Sequence, residues 1–248
     1  MRAAPFLVTL LLATGLGRAT RAEFGSPGFE LHDVSAWTLR DGELEVAPEA
    51  LRIGLLDGVE LASSVPLALI GAPNAELKAT IHASGYLAVG ARAGFVYFDP
   101  DFVGIDTDFD LLAVPVAFEV SGRPIESVRV HASVDYLVAN PDTRAPDLAL
   151  RIQRYLGPVG RLAMTLGGEY RFSRHVGVLA RLALPLIPHR DAFLYAGEGD
   201  DVGAHLRVEA AMHLVYDSFN LRLGVGFGPS LLGRSGVFPI LGLAFRVF

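Results

Sequence analysis

Three side chains on one predicted strand have the types and spacing of a hydrolytic site: His131, Ser133 and Asp135. Alternate residues of a strand share a face, so His131 and Ser133 would lie side by side, with Asp135 next along. An imidazole beside a serine hydroxyl can act as the general base that activates a nucleophile. The same residues can instead form a structural polar ladder, which is the interpretation we favour. A second His-Ala-Ser triplet, at 82–84, falls at a predicted turn.

Residues 99–110, DPDFVGIDTDFD, are rich in aspartate, and carboxylate oxygens are the ligands that Ca²⁺ prefers. The candidate metal ligands are Asp99, Asp101 and Asp106. Asp99 and Asp101 match the first and third positions of a calcium loop, but Val103 stands at the fifth. We therefore interpret the segment as a solvated loop and predict neither a metal site nor a cofactor.

Charged residues alternate with apolar residues along most of the chain, so they would share one face of the strands that position them. The main members of this charge ladder are Arg92, Arg129, Asp135, Glu169, Arg171, Arg181, Arg207, Glu209 and Arg222. Further members are Arg52, Lys78, Arg161 and Arg246 with Glu43, Glu45, Glu60, Glu76 and Glu119. Around an open channel these charges would give a weak preference for anions. In a packed interior they would pair with one another, and the sequence leaves both arrangements open.

The composition narrows the class of protein. Of the 248 residues, 51% are hydrophobic and 19% are charged, and the charged share is below the roughly 25% of a soluble domain. Beyond residue 22, however, no apolar stretch reaches the length of about 18 residues that a spanning helix needs. The absence of cysteine excludes disulfides and thiolate metal sites. A net charge of −6 without a basic stripe argues against a nucleic-acid partner.

The spacing of apolar residues predicts long β-strands. In the range 128–138 the even-numbered residues are apolar and the odd-numbered ones are mostly polar. Such segments run to at least the 9–11 or so residues that a strand needs to cross a bilayer, whereas strands of soluble proteins have about 5–6. Several apolar faces end in aromatic residues near turns, among them Tyr97, Tyr136, Tyr170 and Tyr216. This placement is typical of the interfacial girdles of a membrane barrel.

The segments add up to twelve strands, joined by connections that alternate between short and long, as in an outer-membrane barrel. The predicted strands are 37–46, 50–56, 59–70, 75–83, 86–98, 108–120, 125–138, 160–172, 176–185, 202–216, 221–228 and 237–248. We therefore predict an all-β fold, a closed antiparallel transmembrane β-barrel over residues 37–248, preceded by a periplasmic lead-in at 23–36. Ten or fourteen strands stay open as alternatives. An even number places both termini in the periplasm.

The C-terminal stretch GVFPILGLAFRVF resembles the signature of bacterial outer-membrane β-barrel proteins, an alternating apolar strand that ends in phenylalanine. Phe245 and Phe248 carry the resemblance. It departs from the pattern at Arg246, where the family usually has an aromatic residue. The resemblance implies insertion into outer-membrane lipid and recognition of this end by the barrel assembly machinery.

The pair His131 and Ser133 is similar to the His-x-Ser pair of outer-membrane lipid A deacylases and phospholipases. This likeness implies a membrane-embedded lipid hydrolase as one alternative function. In those enzymes the pair faces lipid, whereas here it lies opposite the apolar face, so we expect no enzyme. The leading function is a structural or narrow-pore barrel that passes or binds small solutes. A secreted soluble β-sandwich with a binding role is the other alternative.

Residues 1–22 have a basic start, a short apolar core and small residues at Thr20 and Ala22, which together predict a cleaved signal peptide. We expect the mature protein to begin at Glu23. N-terminal sequencing of protein extracted from membranes measures this directly, and a sequence that begins at Met1 would contradict export.

Overall fold

The computed structural model describes residues 35–99, 110–142, 162–173, 175–187, 206–216, 218–229 and 235–247. Within these ranges, twelve antiparallel strands close into a barrel. The strands are β1 (Leu44–Val46), β2 (Ala50–Leu56), β3 (Val59–Ser64), β4 (Asn74–Ala83), β5 (Leu87–Phe98), β6 (Asp110–Ile125), β7 (Val128–Asp142), β8 (Leu162–Arg171), β9 (Val176–Ile187), β10 (Arg207–Tyr216), β11 (Phe219–Pro229) and β12 (Ser235–Val247). A short helix, α1 (Val65–Leu69), follows β3. The predicted fold class is confirmed.

The barrel closes where its first strand meets its last. Strand β1 pairs antiparallel with β12 through Leu44 and Val247, Glu45 and Arg246, and Val46 and Phe245. The other neighbours in the ring are also neighbours in sequence. Closure leaves no unpaired sheet edge among the described strands, and an unpaired edge would be a template for aggregation.

Proline accounts for two differences between the predicted and the observed strands. The strand predicted at 59–70 ends at Ser64, because Pro66 lacks an N–H donor and has the fixed φ that suits a helical first turn. Helix α1 begins there and buries Leu67. The turn predicted at 121–124 lies within β6, which continues to Ile125 through an irregularity in the register that accommodates Pro124.

Side chains are distributed in the opposite sense to those of a soluble protein. On β7, Val130, Val134 and Val138 are exposed, whereas the residues between them, such as Arg129 and Ser133, are buried. The same pattern continues around the ring. The buried polar residues of the strands are Glu45, Glu60, Lys78, Glu119, Ser121, Arg129, His131, Ser133, Asp135, Thr165, Glu169, Glu209, His213, Asn220 and Arg246. The interior of the barrel, which we call the lumen, is therefore polar, and the outer surface is apolar.

Among the described residues, no helix has the length and apolarity needed to cross a membrane.

Candidate functional site

Arg92 on β5 is the centre of an ionic cluster in the lumen. Its Nη2 lies 2.5 Å from Oδ1 of Asp135, its Nε 3.1 Å from Glu119 and its Nη1 3.5 Å from Glu76. Lys78 Nζ lies 3.7 Å from the other oxygen of Glu119. One guanidinium therefore holds carboxylates from β4, β6 and β7 together, which ties four neighbouring strands across their inner faces.

A second cluster lies at the seam between β1 and β12. Arg246 Nε donates to Glu45 over 2.8 Å, and its Nη1 lies 3.6 Å from Glu43. Arg52 approaches Glu45 at 2.6 Å and Glu60 at 3.8 Å. Arg246 thus departs from the aromatic residue of the C-terminal signature because its side chain points inward and pairs with the first strand.

Other members of the charge ladder also pair inside the barrel. Arg129 lies 3.9 Å from Glu169, and Glu209 is approached by Arg207 at 2.5 Å and by Arg181 at 4.0 Å. The lumen therefore contains ion pairs rather than a ring of like charges, and buried charges are stable only when they are paired in this way.

The remaining predicted residues are more scattered. Arg222 on β11 reaches Glu49 at 3.4 Å, and Arg171 lies at the end of β8. Asp99 immediately follows β5. The candidates that fall outside the described residues are Asp101, Asp106, Arg161 and Phe248.

The structure pairs the proposed hydrolytic residues differently from the sequence prediction. Ser133 Oγ donates to Asp135 over 2.7 Å, while His131 lies between Ser121 and Glu169. The distances are 2.8 Å from His131 Nδ1 to Ser121 Oγ and 3.2 Å from Nε2 to Glu169 Oε1. Antiparallel pairing places Ser121 directly opposite His131, whereas Ser133 is two residues farther along the same strand. The cross-strand neighbour is therefore the histidine's partner.

Ser121, His131 and Glu169 are hydrogen-bonded in the order of a catalytic Ser-His-acid triad. The Ser121 hydroxyl, however, already has a second hydrogen-bond partner. Ser121 is fully buried, and its Oγ accepts a hydrogen bond from the backbone N–H of Ala36 over 2.7 Å. Its own proton can then go to Nδ1 of His131, which leaves the Nε2 proton for Glu169. The series therefore holds another part of the chain in place.

That part is residues 35–43, which turn into the lumen instead of extending β1; we call them the lumenal segment. The strand predicted from residue 37 thus begins only at Leu44. Besides the bond to Ser121, the carbonyl of Ala36 accepts a hydrogen bond of 2.7 Å from Thr80 Oγ1. Both backbone groups of Ala36 are therefore satisfied by side chains of the wall.

Two apolar side chains of the lumenal segment are buried in the polar interior. Trp37 is 5% exposed, and its ring meets that of His131 edge to face, with centroids 6.1 Å apart. Leu39 is 2% exposed, and its backbone N–H donates to Glu60 over 2.9 Å. The lumenal segment thus contacts the wall from β3 to β7.

Two glycines of the wall leave room for the backbone of the lumenal segment. A side chain at Gly54 would collide with the carbonyl group of Arg40, and a Cβ at Gly90 would lie 3.1 Å from the carbonyl oxygen of Ala36. The lumenal segment joins β1 through a turn in which Gly42 has a φ of +76°, a conformation that favours glycine. The inner wall is therefore shaped around this stretch of chain.

The lumenal segment lies at the end of the barrel that carries the tight turns. Ser121 and His131 flank the turn between β6 and β7, and Gly90 follows the turn between β4 and β5. Toward the other end, a cavity of about 130 Å³ lies between β2 and β6. Its polar lining is Arg52, Glu60, Ser63, Ser64, Asn74, Glu76 and Arg92. Among the described residues, one end is thus filled by chain, while the other leaves space for a few water molecules or a small polar group.

The lumenal segment is held with little net free energy. Burying Trp37 and Leu39 contributes about 1.5–3 kcal/mol each, and the hydrogen bonds to Ser121, Thr80 and Glu60 contribute about 0.5–1.5 kcal/mol each. Ordering the backbone of residues 35–40 costs about 1–2 kcal/mol per residue. The gain is about 5–10 kcal/mol and the cost about 6–12 kcal/mol, so the two nearly cancel.

The sequence prediction missed the lumenal segment and Ser121. Ser121 was assigned to a turn because Gly122 and Pro124 follow it, and the apolar residues of 37–46 fit a strand equally well. The available signal was the position of Gly54 and Gly90, which interrupt the polar face of two predicted strands with residues that leave space.

No protein-family model and no curated protein matches the chain. Among solved structures, it is similar to a triple mutant of the Rhodopseudomonas blastica porin, with 13% identity over 84% of this chain and 56% of that chain and a TM-score of 0.36. It is also similar to the Pseudomonas putida toluene transporter TodX, with 11% identity, coverage of 84% and 80%, and a TM-score of 0.37. The chain thus spans little more than half the length of the porin. At TM-scores this low, the description of the fold depends on the strand pairing alone.

We expect Arg246→Met to destabilise the barrel by about 3–5 kcal/mol, because it leaves Glu43 without the Arg246 pair and weakens the pairing of buried Glu45. Arg123→Met is the matched control, since its partner Glu126 is exposed and such a pair contributes about 1 kcal/mol or less. Urea unfolding of both variants in lipid vesicles measures the difference. Equal, small losses would show that the seam cluster is effectively solvated.

Proposed function

We propose that the chain is a bacterial outer-membrane β-barrel protein with a packed, narrow lumen, in a structural role or passing or binding small solutes. The apolar outer surface carries the proposal. Phe118, Val134 and Leu241 lie on strands distributed around the ring and are 51%, 44% and 75% exposed. A closed ring satisfies its backbone hydrogen bonds internally, which is what a chain surrounded by lipid requires.

Aromatic residues at the tight-turn end support a membrane interface there. Tyr170 and Phe172 are in contact at 4.9 Å between ring centroids, and Phe219 and Phe245 at 5.3 Å. Tyr216 is also exposed. Rings of this kind sit at the level of the lipid headgroups in outer-membrane barrels.

The orientation belongs to the same proposal. Short turns usually face the periplasm and longer connections the exterior, so the tight-turn end and the lumenal segment would lie on the periplasmic side. Export by a cleaved leader and insertion by the barrel assembly machinery are part of the same proposal.

The lumen supports a narrow pore or a solute-binding barrel rather than a wide channel. Barrels of about eight strands are filled by side chains, and barrels of about sixteen enclose an aqueous channel. Here the Arg92 and Arg246 clusters project into the lumen from neighbouring strands, and the lumenal segment fills one end. A solute would meet the polar cavity beside Arg92 and Asn74 from the other end.

The other two functions are not favoured. A two-layer sandwich would have open sheets, whereas β1 pairs with β12. A hydrolase using His131 and Ser133 would need those side chains to meet, and Ser133 instead donates to Asp135.

Fractionation and gel mobility test the proposal. The protein is expected in the outer-membrane fraction, and in detergent gels its unheated form is expected to migrate differently from its boiled form. Recovery of the protein in the soluble periplasmic fraction, without that mobility difference, would contradict the proposal.

We expect Val134→Arg to destabilise the protein in lipid vesicles by about 2–4 kcal/mol, because Val134 lies at the centre of β7 and a lipid-facing arginine there is costly. Val134→Leu keeps an apolar residue and is expected to stay near the wild-type value. Urea unfolding gives both numbers. If Val134→Arg were as stable as Val134→Leu, the outer face would be in contact with water.

A further inference from the structure

We propose that the inner wall at the tight-turn end is a binding site for a peptide backbone, which residues 35–40 occupy reversibly, and that their departure opens the lumen to small solutes. The proposal deepens the proposed function. Its opening step needs a membrane-spanning barrel, whereas the seating and release of the peptide do not.

The wall recognises backbone groups rather than particular side chains. Ser121 accepts the N–H of Ala36, Thr80 donates to the carbonyl of the same residue, and Glu60 accepts the N–H of Leu39. These three wall residues stand on β6, β4 and β3, so the contact follows a path across the strands. Because these bonds go to main-chain groups, they do not depend on the side chains of the peptide that they hold.

The glycines give the site its shape. Gly54 and Gly90 leave space for the backbone of the lumenal segment. A Cβ at Gly54 would meet Arg40, and a Cβ at Gly90 would meet Ala36. Trp37 then lies against the edge of His131. The wall thus offers side chains that bond to backbone groups, two glycines that leave space, and a ring that contacts Trp37. Together they form a site for a peptide that carries an aromatic side chain.

The barrel does not need the occupant in order to close. Strand β1 begins at Leu44, after the turn at Gly42, and its pairing with β12 lies outside the lumenal segment. The cluster of Arg246, Glu43 and Glu45 holds the start of β1 to the last strand. The segment before Gly42 can therefore leave its seat while the ring stays intact.

Trp37 is the only tryptophan in the chain, so its fluorescence reports whether the seat is occupied. The test uses the full-length protein refolded in vesicles, with Gly90→Val, whose Cβ would lie 3.1 Å from the carbonyl oxygens of both Ala36 and Ala79 and so crowd the seated segment. Gly236→Val is the matched control: it adds the same side chain to a strand, and a Cβ there meets nothing within 4 Å. Both variants are first checked for heat-modifiable mobility, which shows that the barrel has formed.

For Gly90→Val we expect red-shifted Trp37 emission, several-fold stronger quenching by acrylamide, and single-channel conductance above that of the wild type. The control should match the wild type in all three. If Trp37 stays protected in folded Gly90→Val, the seat proposal is overturned. If Trp37 is released but no conductance appears, the opening step is overturned. If the wild type itself does not enter vesicles as a heat-modifiable barrel, the proposed function fails.

A disulfide provides a reversible version of the test, because the chain contains no cysteine. In Ala36→Cys/Ser121→Cys, the two positions are already in contact through a hydrogen bond of 2.7 Å. We expect the oxidised protein to keep Trp37 protected and to remain closed, and reduction to increase quenching and conductance together. Single Ala36→Cys should not respond to oxidant. Conductance that is identical in the oxidised and reduced double variant would overturn the opening step.

Discussion

The structure depends on the pairing of charges that are enclosed by the barrel wall. Arg92 contacts carboxylates from three strands, and Arg246 contacts Glu45 on β1 and Glu43 just before it. Removing one member of such a group leaves an uncompensated buried charge. The apolar outer surface has no comparable directional contacts. Hydrogen-bonded ladders hold neighbouring strands together, and the ion pairs determine how the inner faces of several strands fit at once.

Charge pairing matters most at the seam between β1 and β12, where few backbone hydrogen bonds join the strands. Strand β1 has three residues and pairs with β12 at three positions. Arg246 crosses this short contact to Glu43 and Glu45, so the closing strand is held by side chains as well as by its backbone. The same arrangement fixes the turn that directs the lumenal segment inward, since Glu43 also accepts the backbone N–H of Arg40.

The fold was predictable from sequence because alternation of apolar and polar residues fixes both the strands and their facing. The strand count, the outward face of β7 and the pairing of the ends follow from that pattern. The lumen was predictable only as a set of charged residues. Which charges meet depends on register between strands, which is why His131 pairs with Ser121 across the sheet and not with Ser133. The lumenal segment could not be predicted, because a stretch such as 37–46 is apolar enough to be a strand, and its seat is defined by glycines far away in sequence.

The strands differ in length around the ring, and this has a consequence for the surrounding lipid. Strands β2 and β3 have seven and six residues, against sixteen and fifteen in β6 and β7. At about 3.3 Å per residue and a tilt of about 45°, seven residues span roughly 16 Å along the bilayer normal. The apolar band of such barrels is about 25 Å tall. In a membrane, the side of the barrel at β1–β3 would therefore be too thin for the bilayer, and hydrophobic mismatch would compress the lipid there and not on the opposite side. Such a one-sided thin spot gives the barrel a preferred direction in the plane of the membrane, both for its lipid neighbours and for any protein that reduces the mismatch by packing against it.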